Sequence, residues 1–333
     1  MNRVSPVSFV WGGNKNWANA NKTTGAFSIA SGLIGTTCGC IKACTDETSF
    51  LNKFFGFIQS IAYGFRNYFQ YSLYSRKEDD DLGEDIHKRP FAAKFGEVAC
   101  FIEKNVNPFA LPIINLLGKR ASESYNSISH LANALWWRGR LFLNRSNWEF
   151  PNKNLIYFLK DLFDSDIEEK DLAAKEIEKI IAPICGITGF FTTSVFNIIK
   201  ASFKLVNREN KIINFLASVG TMTQHIDYLF RFSLTALINY QGGKSQSNNK
   251  LLASLGFTAN TLNIALPLVE FFPSDNTFLG KFHRLYQELA TGFTAAFFST
   301  RRHFMGKEWL EKNVESVEEV VGKIVKAPEA VLV

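Results

Sequence analysis

The sequence predicts an all-α protein built from three or four helical-hairpin units and a C-terminal amphipathic helix. No segment alternates apolar and polar residues with the period of two that is typical of a half-buried strand. Long apolar or aromatic stretches are instead separated by short polar turns, and one stretch repeats another. With 333 residues, 46% of them hydrophobic, the chain is long enough to bury a substantial core. This composition excludes a disordered protein and a disulfide-rich miniprotein.

The internal repeat aligns residues 51–65 with residues 279–293 without a gap. Seven of the fifteen aligned pairs are identical, where roughly one identity is expected by chance. The identical pairs are Leu51/Leu279, Lys53/Lys281, Phe54/Phe282, Gln59/Gln287, Ala62/Ala290, Gly64/Gly292 and Phe65/Phe293. A fainter third copy begins at residues 210–211, which align with residues 52–53. Each copy follows an apolar stretch of low charge, so the unit is interpreted as an apolar helix, a polar turn and an aromatic basic helix.

The remaining segments are assigned from local composition. The start of the chain is rich in Asn, Gly and Trp, and the stretches between the apolar helices collect acidic or Gly, Ser and Asn residues. The predicted order is a poorly ordered segment 1–25, a hairpin 26–75, an acidic linker 76–90, a degenerate unit 91–150, an acidic helix 151–179, a hairpin 180–241, a linker 242–250, a hairpin 251–306 and the C-terminal amphipathic helix 307–333.

The distribution of charge favours contact with an anionic membrane. The net charge is +6, and the acidic residues collect in the linkers and the C-terminal tail. The apolar body is therefore basic as well as rich in Phe, of which the chain has 32. A basic aromatic surface suits anionic lipid headgroups. The alternative is ordinary solvated charge on a soluble helical protein.

Two stretches approach the length that a membrane-spanning helix needs. Residues 180–199 and 251–269 carry no charged side chain, and about 20 apolar residues cross a bilayer. Thr, Ser and Asn dilute both stretches, and Lys and Arg do not segregate to one side. Gly35 and Gly39 have the spacing of small residues at close helix contacts. Membrane association, shallow or spanning, is therefore preferred, and a soluble helical bundle stays open.

Basic and aromatic residues of the repeat helices are the candidate contacts to a membrane or a protein partner. Trp136 and Trp137 precede two arginines, an arrangement that suits an interfacial belt with snorkelling side chains. The candidate contact residues are Lys53, Phe54, Phe65, Arg66, Trp136, Trp137, Arg138, Arg140, Lys281, Phe282, Arg284 and Phe293.

No catalytic motif is found, so we expect no enzymatic activity, cofactor, metal or nucleic-acid partner. The hypothesis is a non-enzymatic, membrane-associated helical repeat protein that binds partners, acts as a scaffold or shapes membranes. The alternatives are a soluble α-helical scaffold that binds a protein partner, and a small multi-pass membrane protein with a transport role. Convergence of His225, Asp227 and Arg231 would favour an enzyme or a transporter.

Two features bear on the compartment. Five cysteines, an odd number without a CxxC pair, do not form a disulfide framework or a zinc site and suggest reducing surroundings. The first residues contain no apolar core of a secretory signal, so we expect no cleavable signal peptide. The expected location is a membrane facing a reducing, cytoplasmic compartment.

One short pattern resembles that of a known family. Lys281, Arg284 and Gln287 have the spacing Lys/Arg-x-x-Arg-x-x-Gln, which is similar to a pattern near the start of the peroxisome-elongating peroxins. That family shapes membranes with amphipathic helices. The similarity covers seven residues, and Gly56 and Asn214 replace the arginine in the other copies, so no membership is inferred.

The C-terminal tail carries a helical seam. Apolar residues recur at spacings of four, three, four and three, which is the heptad pattern of a helix that packs on another helix. They are Leu310, Val314, Val317, Val321 and Ile324. A helix of this length is unstable alone. We therefore expect it to dock, preferably on the basic body of its own chain and otherwise on a partner.

Overall fold

The computed structural model describes residues 14–71, 101–117, most of 121–128, 159–162, 166–206, 208–244, 246–272 and 276–326. All secondary structure in these ranges is helical, which confirms the all-α prediction. The helices are α1 Asn14–Cys44, α2 Phe50–Tyr71, α3 Asn107–Leu116, α4 Ile167–Leu205, α5 Lys211–Tyr228, α6 Thr235–Gln241, α7 Gln246–Val269 and α8 Phe278–Lys326. Short π-helical segments, Ile102–Val106 and Leu229–Leu234, precede α3 and α6.

Polar residues in the turns determine where the helices begin. The Ser49 hydroxyl accepts a hydrogen bond from the backbone N–H of Asn52, and Thr277 accepts one from Gly280. These caps satisfy N–H groups that have no partner within the helix. The capping residues of α4 and α5 are Asp166 and Asn210, whose side chains accept from backbone N–H groups of the first turn. Helix starts are therefore encoded locally.

The described helices contact one another in a single row. The order in the row is α3, α2, α1, α8, α7, α5 with α6, and α4, and each helix packs mainly against its two neighbours. Helix pairs that are consecutive in the chain, α1–α2, α4–α5 and α7–α8, lie side by side in this row. That these pairs are copies of one hairpin unit, and how many units exist, stays a prediction.

Contacts between turns show which helix ends lie together on one side of the row. Lys281 Nζ lies 3.0 Å from Asp46 Oδ1, so the turn after α1 meets the start of α8. Lys211 Nζ donates to the carbonyl of Phe271 at 2.9 Å, which joins the start of α5 to the end of α7. These helix ends and the turns that follow Cys44, Leu205 and Val269 lie on the same side of the row, which we call the turn end.

At the opposite end, α8 meets the N-terminal part of α1. A hydrogen bond of 2.8 Å joins His303 Nδ1 to the carbonyl oxygen of Lys22. α8 then continues to Lys326 without a break, so the tail is an extension of α8 and not a separate helix. The 49 residues of α8 span about 73 Å at 1.5 Å per residue. The expected docking of the tail stays a prediction, since its side chains lie outside the described residues.

Other segment boundaries also differ from the sequence prediction. α1 begins at Asn14, so half of the segment expected to be poorly ordered is helical. The acidic stretch and the apolar stretch around residue 180 form one helix, α4, even though Pro183 lies inside it. α7 begins at Gln246, within the predicted linker. The predicted boundaries depend on changes in composition. A change in composition does not end a helix as long as the backbone hydrogen bonds continue across it.

Small residues let α1 and α8 approach closely. A Cβ atom at Gly25 would lie 2.8 Å from the Cα of His303, and a Cβ at Gly292 would overlap the side chain of Thr36. Between these points the hydroxyls of Ser28 and Ser299 form a hydrogen bond of 2.7 Å. Only glycine and other small side chains fit such a contact.

We predict that Gly292→Ala destabilises the protein relative to Gly32→Ala by about 1–3 kcal/mol, the usual cost of overpacking. Both substitutions gain the same helix propensity, but the nearest side-chain atom to a Cβ at Gly32 is Arg66 Cδ at an ordinary 3.6 Å. Thr36 cannot turn away freely because its hydroxyl donates to the carbonyl of Gly32 at 2.8 Å. Helix unfolding followed by circular dichroism in detergent measures the difference, and equal stability of the two variants would contradict this packing.

Candidate functional site

The outer surface of the row is formed by large apolar side chains. On α1 the exposed residues Phe27, Ile34 and Ile41 recur every seven positions and so share one face. On α4 a similar face is formed by Ile184, Phe191, Val195 and Ile198. Soluble proteins rarely expose contiguous apolar surfaces of this kind, which mark interaction with a membrane or another protein.

Three helical stretches are long and apolar enough to cross a membrane. They are Lys22–Cys44 in α1, Ile167–Leu205, which is all of α4, and Ser247–Val269 in α7. The sequence analysis singled out parts of α4 and α7 and considered them marginal, and α1 adds a third. These helices are compatible with a membrane-associated protein.

The interior of the row is rich in small and polar side chains. Gly, Ala, Ser, Thr and Asn make up most of the buried residues, and Phe297 is the only phenylalanine among the described residues with a buried side chain. The large apolar side chains therefore lie outside and the small or polar ones lie between the helices. This distribution is the reverse of the one usual for proteins in water. In lipid it is expected, because helix association there depends on close packing and interhelical hydrogen bonds.

A first polar cluster joins α1, α2 and α8. Gln59 on α2 donates from Nε2 to the carboxylate of Glu288 on α8 at 2.6 Å. The same amide accepts from Lys42 Nζ of α1 at 3.4 Å through its Oε1. Gln59 therefore bridges a half-buried acid and a base, while Gly39 provides the space in which this occurs. Both ends of the amide are used, so each of the three helices contributes one polar group.

A second cluster joins α7 and α8. Gln287 donates from Nε2 to Glu270 Oε1 at 3.0 Å, and the same nitrogen lies 3.0 Å from His283 Nε2. Glu270 and His283 are buried, with 3.8 Å between Oε2 and Nε2. Gln59 and Gln287 occupy the same position in the aligned segments, and each binds a glutamate that lies outside its own helix. The identity of these glutamines in the sequence was the signal for both clusters, although it did not reveal their partners.

A third cluster lies between α4, α5 and the π-helical segment. Asp227 is completely buried, and its Oδ2 lies 3.7 Å from Nη2 of Arg231. The same guanidinium forms a closer ion pair with Glu178 of α4, at 2.9 Å. Two carboxylates thus share one guanidinium inside the row. The π-helical segment Leu229–Leu234 contains Arg231, and such segments are frequent at functional sites.

His225 belongs to a neighbouring chain of hydrogen bonds. Its Nδ1 lies 2.7 Å from Asn260 Oδ1 of α7, and Asn260 donates from Nδ2 to the Ser233 hydroxyl at 2.8 Å. His225, Asp227 and Arg231, whose convergence would favour an enzyme or a transporter, all lie in or beside buried polar clusters. Asn260 is one of the asparagines that dilute the apolar stretch 251–269, and no local pattern indicates its partners.

The predicted contact residues fall into two groups. Lys53, Phe54, Phe65 and Phe282 are exposed, whereas Phe293 is half-buried. Arg66, Lys281 and Arg284 are engaged within the chain: Arg66 lies over the ring of Tyr63 at 5.7 Å, Lys281 pairs with Asp46, and Arg284 pairs with Glu47 at 3.2 Å. Trp136, Trp137, Arg138 and Arg140 lie outside the described residues, as do the side chains of the tail seam, Leu310, Val314, Val317, Val321 and Ile324.

We predict that Gln59→Leu destabilises the protein by about 1–3 kcal/mol, because the half-buried carboxylate of Glu288 loses its amide donor. The double variant Gln59→Leu with Glu288→Leu should recover most of this loss, since both polar partners are then removed. Gln241→Leu, at an exposed helix end, is the matched control. The free energy of unfolding in detergent is measured for the two single variants and the double variant. Additive losses in the double variant would show that the two side chains are not coupled.

Comparison with known proteins adds no relative. No protein-family model matches the chain, and no curated protein or solved structure does either. The functional conclusion therefore depends on the geometry described above.

Proposed function

We propose that this protein is a non-enzymatic, membrane-embedded helical scaffold, whose row of helices binds partners within the bilayer or shapes it. The observation that carries the proposal is the reversed distribution of side chains, with large apolar residues outside and small polar ones between the helices. Three helices of spanning length support it. A row of helices supplies a broad lateral surface of the kind that a scaffold requires.

The buried and half-buried acids between the helices fit this environment as well. Glu288, Glu270 and Glu178 each have a hydrogen-bonding partner on another helix. Polar pairs between helices hold membrane bundles together, at roughly 0.6–2 kcal/mol each. The clusters therefore support a rigid, persistent assembly of helices.

We predict that Ile34→Asp strongly reduces the fraction of protein that resists alkaline carbonate extraction. Ile34 lies near the middle of the apolar stretch of α1 and faces outward, and a carboxylate there costs roughly 2.5–3.5 kcal/mol of insertion free energy. Thr48→Asp, in the turn after α1, is the control and should leave the wild-type behaviour, namely retention in the carbonate pellet and release by detergent. In a soluble bundle an exposed aspartate would be harmless, so unchanged behaviour of Ile34→Asp, or wild-type release by carbonate, would contradict embedding.

The third cluster favours a second candidate, a transport role for protons or cations. α5 packs between α4 and α7, two of the spanning candidates, so Asp227 lies at membrane depth when those helices span. Ionisable residues inside a membrane are costly and commonly belong to ion or proton pathways. The adjoining π-helical segment is consistent with such a role.

This candidate predicts that wild-type protein in vesicles dissipates an imposed pH gradient and that Asp227→Asn does not, because the amide cannot carry the proton. Asp171→Asn, at an exposed ion pair with Lys175, serves as the control. A dye enclosed in the vesicles reports the internal pH, and unchanged circular dichroism confirms that the variant is folded. Equal dissipation by wild type and Asp227→Asn would leave the scaffold as the remaining proposal.

A further inference from the structure

At the turn end the described acidic residues are paired within the chain, whereas several basic residues are exposed without an ionic partner in the described ranges. Each acidic residue described there has a partner within the chain. Asp46 pairs with Lys281, Glu47 with Arg284, Glu209 with Lys204, and Glu270 with Gln287. The acids of this end are therefore neutralised or hydrogen-bonded by the protein itself.

Three basic residues at the same end are left facing outward. Lys53, Arg208 and Lys211 are exposed and form no ion pair with any residue that the structure describes. Lys211 donates to the Phe271 carbonyl but keeps its charge. The described residues of this end consequently present unpaired charge that is positive.

Exposed aromatic residues surround these charges. Phe50 and Phe278, the first residues of α2 and α8, are 79% and 83% exposed. Phe54, Phe282 and Ile212 continue the apolar surface by one turn or less. Apolar side chains beside lysine and arginine are typical of segments that lie at the boundary between headgroups and acyl chains.

The spacing of the basic residues identifies a surface as the binding partner. Lys53 is on α2, Arg208 is in the turn before α5, and Lys211 is the first residue of α5. Helices α1, α8 and α7 lie between α2 and α5 in the row. With helix axes 8–10 Å apart, four steps amount to roughly 30–40 Å measured along the row. A single phosphate or small anion cannot bridge that distance, but a lipid leaflet can.

We propose that the turn end of the row binds the anionic phospholipid headgroups of one leaflet through Lys53, Arg208 and Lys211, with Phe50 and Phe278 inserted beside them. This inference rests on the proposed membrane embedding and adds which end meets the anionic leaflet and through which residues. Lys281 and Arg284 are not part of the contact, because Asp46 and Glu47 already hold them.

The test compares two variants with the same change of charge. One carries Lys53→Gln, Arg208→Gln and Lys211→Gln at the turn end. The other carries Lys22→Gln, Lys244→Gln and Lys250→Gln, three exposed lysines towards the opposite end. Purified protein in mild detergent is titrated with phosphatidylserine or phosphatidylcholine, and bound lipid is counted by native mass spectrometry.

Wild-type protein should retain phosphatidylserine in preference to phosphatidylcholine. Each basic residue near an anionic surface contributes about a fivefold factor, so the turn-end variant should lose on the order of a hundredfold in that preference. The opposite-end variant should lose less than about threefold. Equal losses in both variants, or no preference in the wild type, would overturn the inference.

Carbonate extraction of the same proteins separates this result from the broader proposal. A chain that resists extraction but shows no lipid preference is embedded without an anionic-lipid surface, so only this inference fails. A chain released by carbonate contradicts embedding itself. A Phe50→Ala, Phe278→Ala variant should weaken binding of both lipids alike, because it removes apolar contact and leaves the charge unchanged.

Discussion

The close contact between α1 and α8 is the interaction on which the rest of the row depends. It joins the first of the described helices to the last of them, so the α1–α2 pair packs beside the α7–α8 pair. Gly25, Gly292 and the Ser28–Ser299 hydrogen bond bring the two backbones together. Glu288 can reach Gln59 only because α1 leaves room at Gly39. Side chains of three helices thus meet at one point because two backbones approach closely.

Some parts of this architecture could be predicted from the sequence and others could not, for a physical reason. Helix starts depend on a few adjacent residues, so Ser49 and Asn210 could be recognised as boundaries. The order of the helices in the row depends on residues far apart in the chain, and so do the clusters around Glu288 and Asp227. No local pattern reports such contacts. The continuity of α4 and α8 was missed because a change of composition was taken for a break in the backbone.

The sequence also does not show which of the candidate contact residues are exposed. Lys53 and Lys281 occupy equivalent positions in the aligned segments, yet Lys53 faces outward and Lys281 pairs with Asp46. Which lysine is available depends on the turn that lies opposite, and that turn comes from another part of the chain. Equivalent sequence positions can therefore have different electrostatic roles in one protein.

The length of α8 has a consequence for electrostatics. Residues 304–326 continue the helix past His303 by about 34 Å. At physiological ionic strength, charges in water are screened within about 8 Å. Most of this extension is therefore several screening lengths away from the turn end. Distance alone therefore separates the tail from the turn end electrostatically, so the net charge of the one can change without altering the field at the other.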